Sequence, residues 1–137
     1  MLAPASTQVL LPVLKGRREP AWNWYTDPSG LVSGLWGIPE PIGEPLGADA
    51  LAACSFVWVS ALCVTPGGFR LGTGGGWYDR ALAHARPDAL RATLVGDAEL
   101  VDEVPLDPWD LPVDVVVTPS ATVATGARGV PWPPAAE

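Results

Sequence analysis

The residues best suited to chemistry lie in one run, Arg70-Leu71-Gly72-Thr73-Gly74-Gly75-Gly76-Trp77-Tyr78-Asp79-Arg80. Glycine reaches positive φ without steric cost, so successive backbone N–H groups can turn toward a common point. A concavity of that kind accepts an anion, and phosphate is the natural occupant. A helix starting directly behind the loop would add the positive end of its dipole. The loop is not a Walker A sequence, since no Gly-Lys-Ser/Thr follows. Gly72, Gly74 and Gly75 also break the Gly-x-Gly-x-x-Gly spacing of dinucleotide sites. From the glycines alone, a phosphate cradle and a plain flexible turn both stand. Asp79 has two readings as well, because a first-turn carboxylate is favourable by about 0.3–1 kcal/mol whatever its function. Tyr78 falls on the apolar stripe of the expected helix, and Trp77 at the loop edge either stacks on a ring or covers the core.

The elements around this run must hold it in place. Phe56 to Val64 is the strongest strand signal in the chain, and Thr65-Pro66-Gly67-Gly68 after it is a turn. A helix is predicted from about Trp77 to Arg86, with Tyr78, Ala81, Leu82 and Ala85 on one face, and Pro87 ends it. Ala92 to Val95 and Val113 to Val117 read as further buried strands. Val9 to Leu14 is apolar at both parities, which predicts a strand covered on both faces as in a parallel sheet. Trp22 and Trp24 alternate onto one face. Asp27 to Gly47 is a Pro/Gly-rich excursion with no period of its own, a length of connection that is often functional. Asp49 to Cys54 reads as a short helical turn. Apolar runs separated by one helix predict an open α/β layered domain over residues 1–120, followed by a loose Pro-rich tail over 121–137.

Composition limits the partners. The chain has 137 residues, 48% hydrophobic and 17% charged, enough for one packed core. Fifteen acidic residues against eight basic ones give a net charge of −7, and the basic residues are scattered. That excludes tracking of a nucleic-acid backbone, although a small anion can still bind through local cations and amides. Cys54 and Cys63 sit in an apolar run as buried thiols, and with His84 the sole histidine there is no Cys/His zinc set. No apolar run approaches the ~20 residues of a membrane span, and the first residues do not read as a signal peptide. A cytoplasmic protein, monomeric or weakly homo-oligomeric, is expected.

The run Arg70 to Arg80 resembles the R-L-G-x-G-G-G-Y-Y-D-R signature of the 5-formyltetrahydrofolate cyclo-ligase family, also called methenyltetrahydrofolate synthetases. Three more blocks agree in order. Leu35-Trp36-Gly37-Ile38-Pro39-Glu40-Pro41 resembles F-G-I-x-E-P, and Leu100-Val101-Asp102-Glu103-Val104-Pro105 resembles L-V-D-E-V-P. Trp109-Asp110-Leu111-Pro112-Val113-Asp114 through Pro119 resembles H-D-x-P-V-D-x-V-V-T-P. The likeness runs from about Val9 to Ser120. It implies an α/β fold with a three-layer open mixed sheet, Rossmann-like, of the sugar-phosphate isomerase/CoA-transferase-like group. It also implies use of ATP and Mg2+ to convert 5-formyltetrahydrofolate to 5,10-methenyltetrahydrofolate, releasing ADP and phosphate. ATP would activate the poor formamide electrophile by phosphorylating its oxygen, so that N10 attacks and phosphate leaves.

Carried over position by position, the resemblance implies that Gly72, Thr73, Gly74, Gly75 and Gly76 cradle the ATP phosphates. Trp77 and Tyr78 would lie near the nucleotide or the pterin. Arg70 and Asp79 would be catalytic, with Asp79 also facing the metal, and Glu40 and Tyr78 would meet the folate. Family members begin with a basic helical segment and a first strand ahead of the strand at Val9, and this chain is expected to lack them. Trp109 stands where the family usually has His, and Thr65 where Asp is common. A non-catalytic nucleotide- or folate-binding paralogue of the same fold is the alternative reading.

Overall fold

The structure, a computed structural model, describes residues 7–14, 19–72 and 76–133. Its centre is a four-stranded mixed sheet. To number the strands in chain order, β1 is Leu10–Pro12, β2 Trp22–Trp24, β3 Leu31–Ser33, β4 Pro39–Pro41 and β5 Phe56–Trp58. They continue with β6 Cys63–Val64, β7 Arg70–Leu71, β8 Leu90–Leu94, β9 Val115–Val117 and β10 Thr122–Ala124. The central order is β10-β9-β8-β5, with β5, β8 and β9 parallel and β10 antiparallel to β9. The fold is mixed α/β, as the apolar runs predict, with the mixed sheet that the resemblance implies.

The valine-rich run around β9 supplies β-branched side chains that suit a pleated, buried surface. Period-2 alternation sends Val57, Thr93 and Val116 to one face of the sheet. There they meet Leu51, Leu82 and Ala81 in the main core, together with Val59, Val64, Val95 and Val113. Leu90, Ala92 and Val115 form a smaller cluster on the other face, packed with Val117 and Val130. Phe56, Trp58 and Leu94 share the parity of that face and stay partly exposed.

Several expectations change. The strand predicted over Phe56 to Val64 divides: β5 pairs with β8, then the chain leaves the sheet and Cys63–Val64 pairs antiparallel with Arg70–Leu71. Thr93 stabilises the departure by donating its hydroxyl to the Val59 carbonyl at 2.6 Å. The strand at Val9 to Leu14 was expected to be covered on both faces, as in a parallel sheet, but Leu10–Pro12 is half-buried and forms an antiparallel hairpin with Trp22–Trp24. Trp22 does face the core, 3% exposed.

The excursion from Asp27 to Gly47 holds a second hairpin, β3 with β4, entered through a 3-10 turn at Pro28–Gly30 that Asp27 caps by accepting from the Ser29 N–H at 2.8 Å. The helical turn expected at Asp49 to Cys54 is a 3-10 helix at Ala48–Ala53. The predicted helix is shorter than expected: α1 spans Trp77–Leu82. His84 and Ala85 then bond only three residues back, to Ala81 and Leu82, which tightens the chain ahead of Pro87.

The chain after position 120 was expected to be loose, yet Thr122–Ala124 is a strand of the central sheet. Arg128 pins the following turn to the sheet. Its Nε and Nη2 donate to both oxygens of buried Asp114 at 2.9 and 2.7 Å, and it also donates to the carbonyls of Pro87 and Ala89.

Candidate functional site: a cleft around Arg70

β7 and α1 bring the first wall of the site together. Arg70 pairs with Val64 across the β6–β7 hairpin, and strand parity turns its side chain inward while Leu71 faces out. The hairpin turns at Gly68, whose φ is +93°, and Thr65 closes it by accepting the Phe69 N–H on its hydroxyl at 3.2 Å. A Cβ on Gly68 would lie 2.4 Å from the Val113 carbonyl oxygen, so only glycine admits that approach. Buried Thr65, at the position where Asp is common in the resembling family, therefore serves the turn itself.

Across from this wall, the segment from Pro105 to Leu111 supplies Pro105, Asp107, Trp109 and Asp110. The cleft between the walls has a volume of about 200 Å³ and is also lined by Gly72, Gly76, Trp77, Tyr78 and Asp79. Asp79 links the two walls. Its Oδ1 accepts from Arg70 Nη2 at 3.1 Å and from the Leu111 backbone N–H at 3.2 Å.

Arg70 is a cation lining the cleft, and its side chain is only 4% exposed. Burial pushes its pKa below the ordinary arginine value, while Asp79, then Tyr78 and Asp110, pull it back up. The guanidinium lies over the Tyr78 ring, 5.8 Å from its centroid. Its Nε–H is buried without an acceptor among the described residues, and so is the indole N–H of Trp77. A buried donor left unmade costs about 1–3 kcal/mol, so each is a position where an acceptor would be welcome.

Burial raises the Tyr78 pKa above the usual tyrosine range, against a hydrogen bond with Ser60 and the nearby Arg70 charge. Trp77 and Tyr78 meet edge to face at 4.9 Å, and Trp77 meets Trp22 in the same way at 5.1 Å. Gly76 has φ +65°, the left-handed conformation expected of the loop.

Of the residues singled out in the sequence, the structure gathers Arg70, Gly72, Gly76, Trp77, Tyr78 and Asp79 around one cleft. Thr73, Gly74 and Gly75 lie outside the described residues. The helix-dipole contribution expected behind the loop shrinks with a helix of six residues, which leaves positive charge among the described residues to side chains: Arg70 in the wall, and Arg80, whose Nη1 lies 3.3 Å from where a Cβ on Gly76 would stand.

Glu40 does not line this cleft. It sits in β4, 5% exposed, and its Oε2 accepts the Leu14 N–H at 2.8 Å. A Cβ at Gly34 would come within 2.3 Å of its carboxyl carbon, so glycine at 34 makes room for it. Asp107, Asp110 and Ser60 are cleft residues that the sequence did not single out. Asp110 follows Trp109 in a block already recognised by resemblance, a signal that could have found it; Ser60 carried none.

Among the described residues, no group of three or more His, Cys, Asp and Glu is arranged to hold a metal ion by itself. The acidic residues Asp79, Asp107 and Asp110 nevertheless border the cleft. This donor set suits Mg2+ in its usual mode, held by one or two carboxylates together with substrate phosphates.

The model of the 5-formyltetrahydrofolate cyclo-ligase family matches residues 1–119. A protein from Mycolicibacterium smegmatis named 5-formyltetrahydrofolate cyclo-ligase is 38% identical over 125 residues, covering 86% of this chain and 63% of its own length. The Escherichia coli K12 protein of the same name is 45% identical over 99 residues, covering 70% of this chain and 53% of its own length. The solved structure of Aquifex aeolicus 5,10-methenyltetrahydrofolate synthetase aligns with a TM-score of 0.71 at 30% identity, over 86% of this chain and 58% of that one. The chain thus spans between half and two-thirds of the length of these relatives.

Proposed function

The chain belongs to the 5-formyltetrahydrofolate cyclo-ligase family, and from that premise we propose that it takes part in the ATP-dependent conversion of 5-formyltetrahydrofolate to 5,10-methenyltetrahydrofolate, with release of ADP and phosphate. The observation that carries the proposal is Arg70: buried, lining the cleft with Gly72 and Gly76, and holding an Nε–H without an acceptor among the described residues. A phosphate oxygen is the acceptor that satisfies this donor and its charge together.

Bound ATP supplies the phosphoryl group that turns the formyl oxygen into a leaving group. The chain's own part is positioning and charge. Gly72 and Gly76 leave the cleft wall without side chains there, and Thr73, Gly74 and Gly75 are proposed to complete the phosphate cradle. Arg70 neutralises phosphoryl charge, and Asp79 fixes the guanidinium through Nη2.

Asp79 already offsets Arg70, and Asp107 and Asp110 set negative charge against Arg80, whose guanidinium lies beside Gly76. Asp79 would hold Mg2+ together with substrate phosphates, and the metal would supply positive charge against the phosphates and carboxylates. Trp77 and Tyr78 form the aromatic floor beside the nucleotide or pterin. Glu40 is proposed to meet the folate, on the strength of its place in the Gly37-Ile38-Pro39-Glu40-Pro41 block.

The finer expectations belong with this proposal: a three-layer, Rossmann-like sheet of the sugar-phosphate isomerase/CoA-transferase-like group, and a cytoplasmic, monomeric or weakly homo-oligomeric protein without nucleic-acid or membrane partners. The net charge of −7 supports the nucleic-acid part, and no helix among the described residues is long and apolar enough to cross a membrane. A single domain is likewise proposed, with β10 extending it past residue 120.

The test is to give purified chain 5-formyltetrahydrofolate, ATP and Mg2+ while following absorbance of the methenyl product and release of ADP. One ADP per methenyl group formed is expected. Saturable binding of both substrates by folded protein without any product would instead favour the non-catalytic paralogue.

A further inference from the structure

Trp109 is 64% exposed and lines the cleft. The turn that carries it is closed twice. The Asp110 N–H donates to the Asp107 carbonyl at 3.0 Å, and the Asp107 N–H donates to Asp110 Oδ2 at 2.7 Å. The next residue, Leu111, donates its N–H to Asp79, the partner of Arg70. A large indole is thus displayed to solvent on a turn tied to the same carboxylate that fixes Arg70.

The other aromatic rings of the cleft are differently employed. Trp77 and Tyr78 contact each other edge to face, and Trp77 also contacts Trp22, whereas Trp109 has no ring contact among the described residues. We propose that Trp109 is a specificity-determining residue, the stacking platform for the planar heteroaromatic ring of a ligand bound in this cleft. The proposal rests on the nucleotide-site reading above and adds to it an orientation, with anionic groups toward Arg70 and Gly72 and the ring on Trp109. Purine and pterin share the chemistry, since any flat π-face stacks on indole.

The experiment measures binding by calorimetry to wild type, Trp109→Ala and Trp109→Phe. Three ligands are used: Mg-ATP, Mg-tripolyphosphate, which has the charge without the ring, and 5-formyltetrahydrofolate. Trp109→Ala is expected to weaken one ring-bearing ligand about tenfold or more while tripolyphosphate stays within about twofold, and Trp109→Phe to recover most of the loss. A loss in the Mg-ATP arm identifies the ring as adenine; a loss in the folate arm identifies it as the pterin.

Equal losses for ATP and tripolyphosphate, or ring-bearing ligands indifferent to Trp109→Ala, would overturn the stacking role while leaving the nucleotide site standing. Wild type binding neither Mg-ATP nor tripolyphosphate would overturn the site itself, and the platform with it.

Discussion

Tyr78 shows how much one buried residue of the site reports about its surroundings. Its phenol is held protonated by burial, with Ser60 and Arg70 pulling the other way. A folded pKa raised above the unfolded value of about 10 means that the unfolded chain loses this proton first as pH rises. The stabilisation is complete below the unfolded pKa and is lost as pH climbs toward the folded one. Denaturant unfolding measured in steps upward from about pH 9 should therefore show stability falling from about pH 10, and Tyr78→Phe should flatten that fall. Identical slopes in the two proteins would mean that the phenol is not held as described.

At this scale the sequence was informative but incomplete. The glycine-rich run and its resemblance led directly to Arg70, Tyr78 and Asp79. No property of the sequence foretold that Asp79 would bond both Arg70 and the Leu111 amide, because that contact joins residues 32 positions apart. Glu40 was expected at the ligand from its block alone, whereas its carboxylate also serves the backbone of Leu14.

The elements carry the site through a few positions that tolerate little change. Gly68 combines φ +93° with a Cβ direction that points at the Val113 carbonyl. Gly68→Ala should cost about 2 kcal/mol or more, since left-handed backbone strain and a backbone clash act together. Urea denaturation reads this directly, and a loss below about 0.5 kcal/mol would show that the hairpin relaxes around the added methyl.

Arg128 is the second such position. Removing it with Arg128→Ala strands Asp114, whose side chain is 1% exposed, without its ion-pair partner. Breaking a buried pair in this way is expected to cost about 3–5 kcal/mol. A thermal or urea midpoint unchanged from wild type would show that water replaces the guanidinium.

These elements also mark where local reading stopped. Strand type was legible from β-branched runs such as Val115–Val117, but strand partners were not. Phe56 to Val64 reads as one strand because its apolar residues are continuous; only the hydrogen bonds of Leu62 and Val64 to the β7 region divide it. The stretch after Ser120 looked loose from its prolines and glycines, yet pairing with β9 and the Arg128–Asp114 contact, set by tertiary structure, anchor it.

Over the whole molecule, the central mixed sheet buries one face against α1 and the Ala48–Ala53 helix, and the cleft opens where the β6–β7 hairpin meets the Pro105–Leu111 segment. The chain matches its relatives along most of its own length, and those relatives extend well beyond the match. Class of fold and family were both legible, because four ordered blocks survive as local sequence. The arrangement of cleft walls was not, since it depends on contacts between distant segments.

The account stands on Arg70 and the glycines beside it receiving a nucleotide's phosphates. Nitrogen–proton NMR of the labelled chain, titrated with ATP in the presence of Mg2+, observes those groups one by one. The Arg70 Nε–H and the backbone amides of Gly72 and Gly76 should shift together and saturate at a single affinity, with weaker shifts when Mg2+ is withheld. Shifts centred elsewhere in the chain, with those three resonances unmoved at saturating ATP, would contradict it.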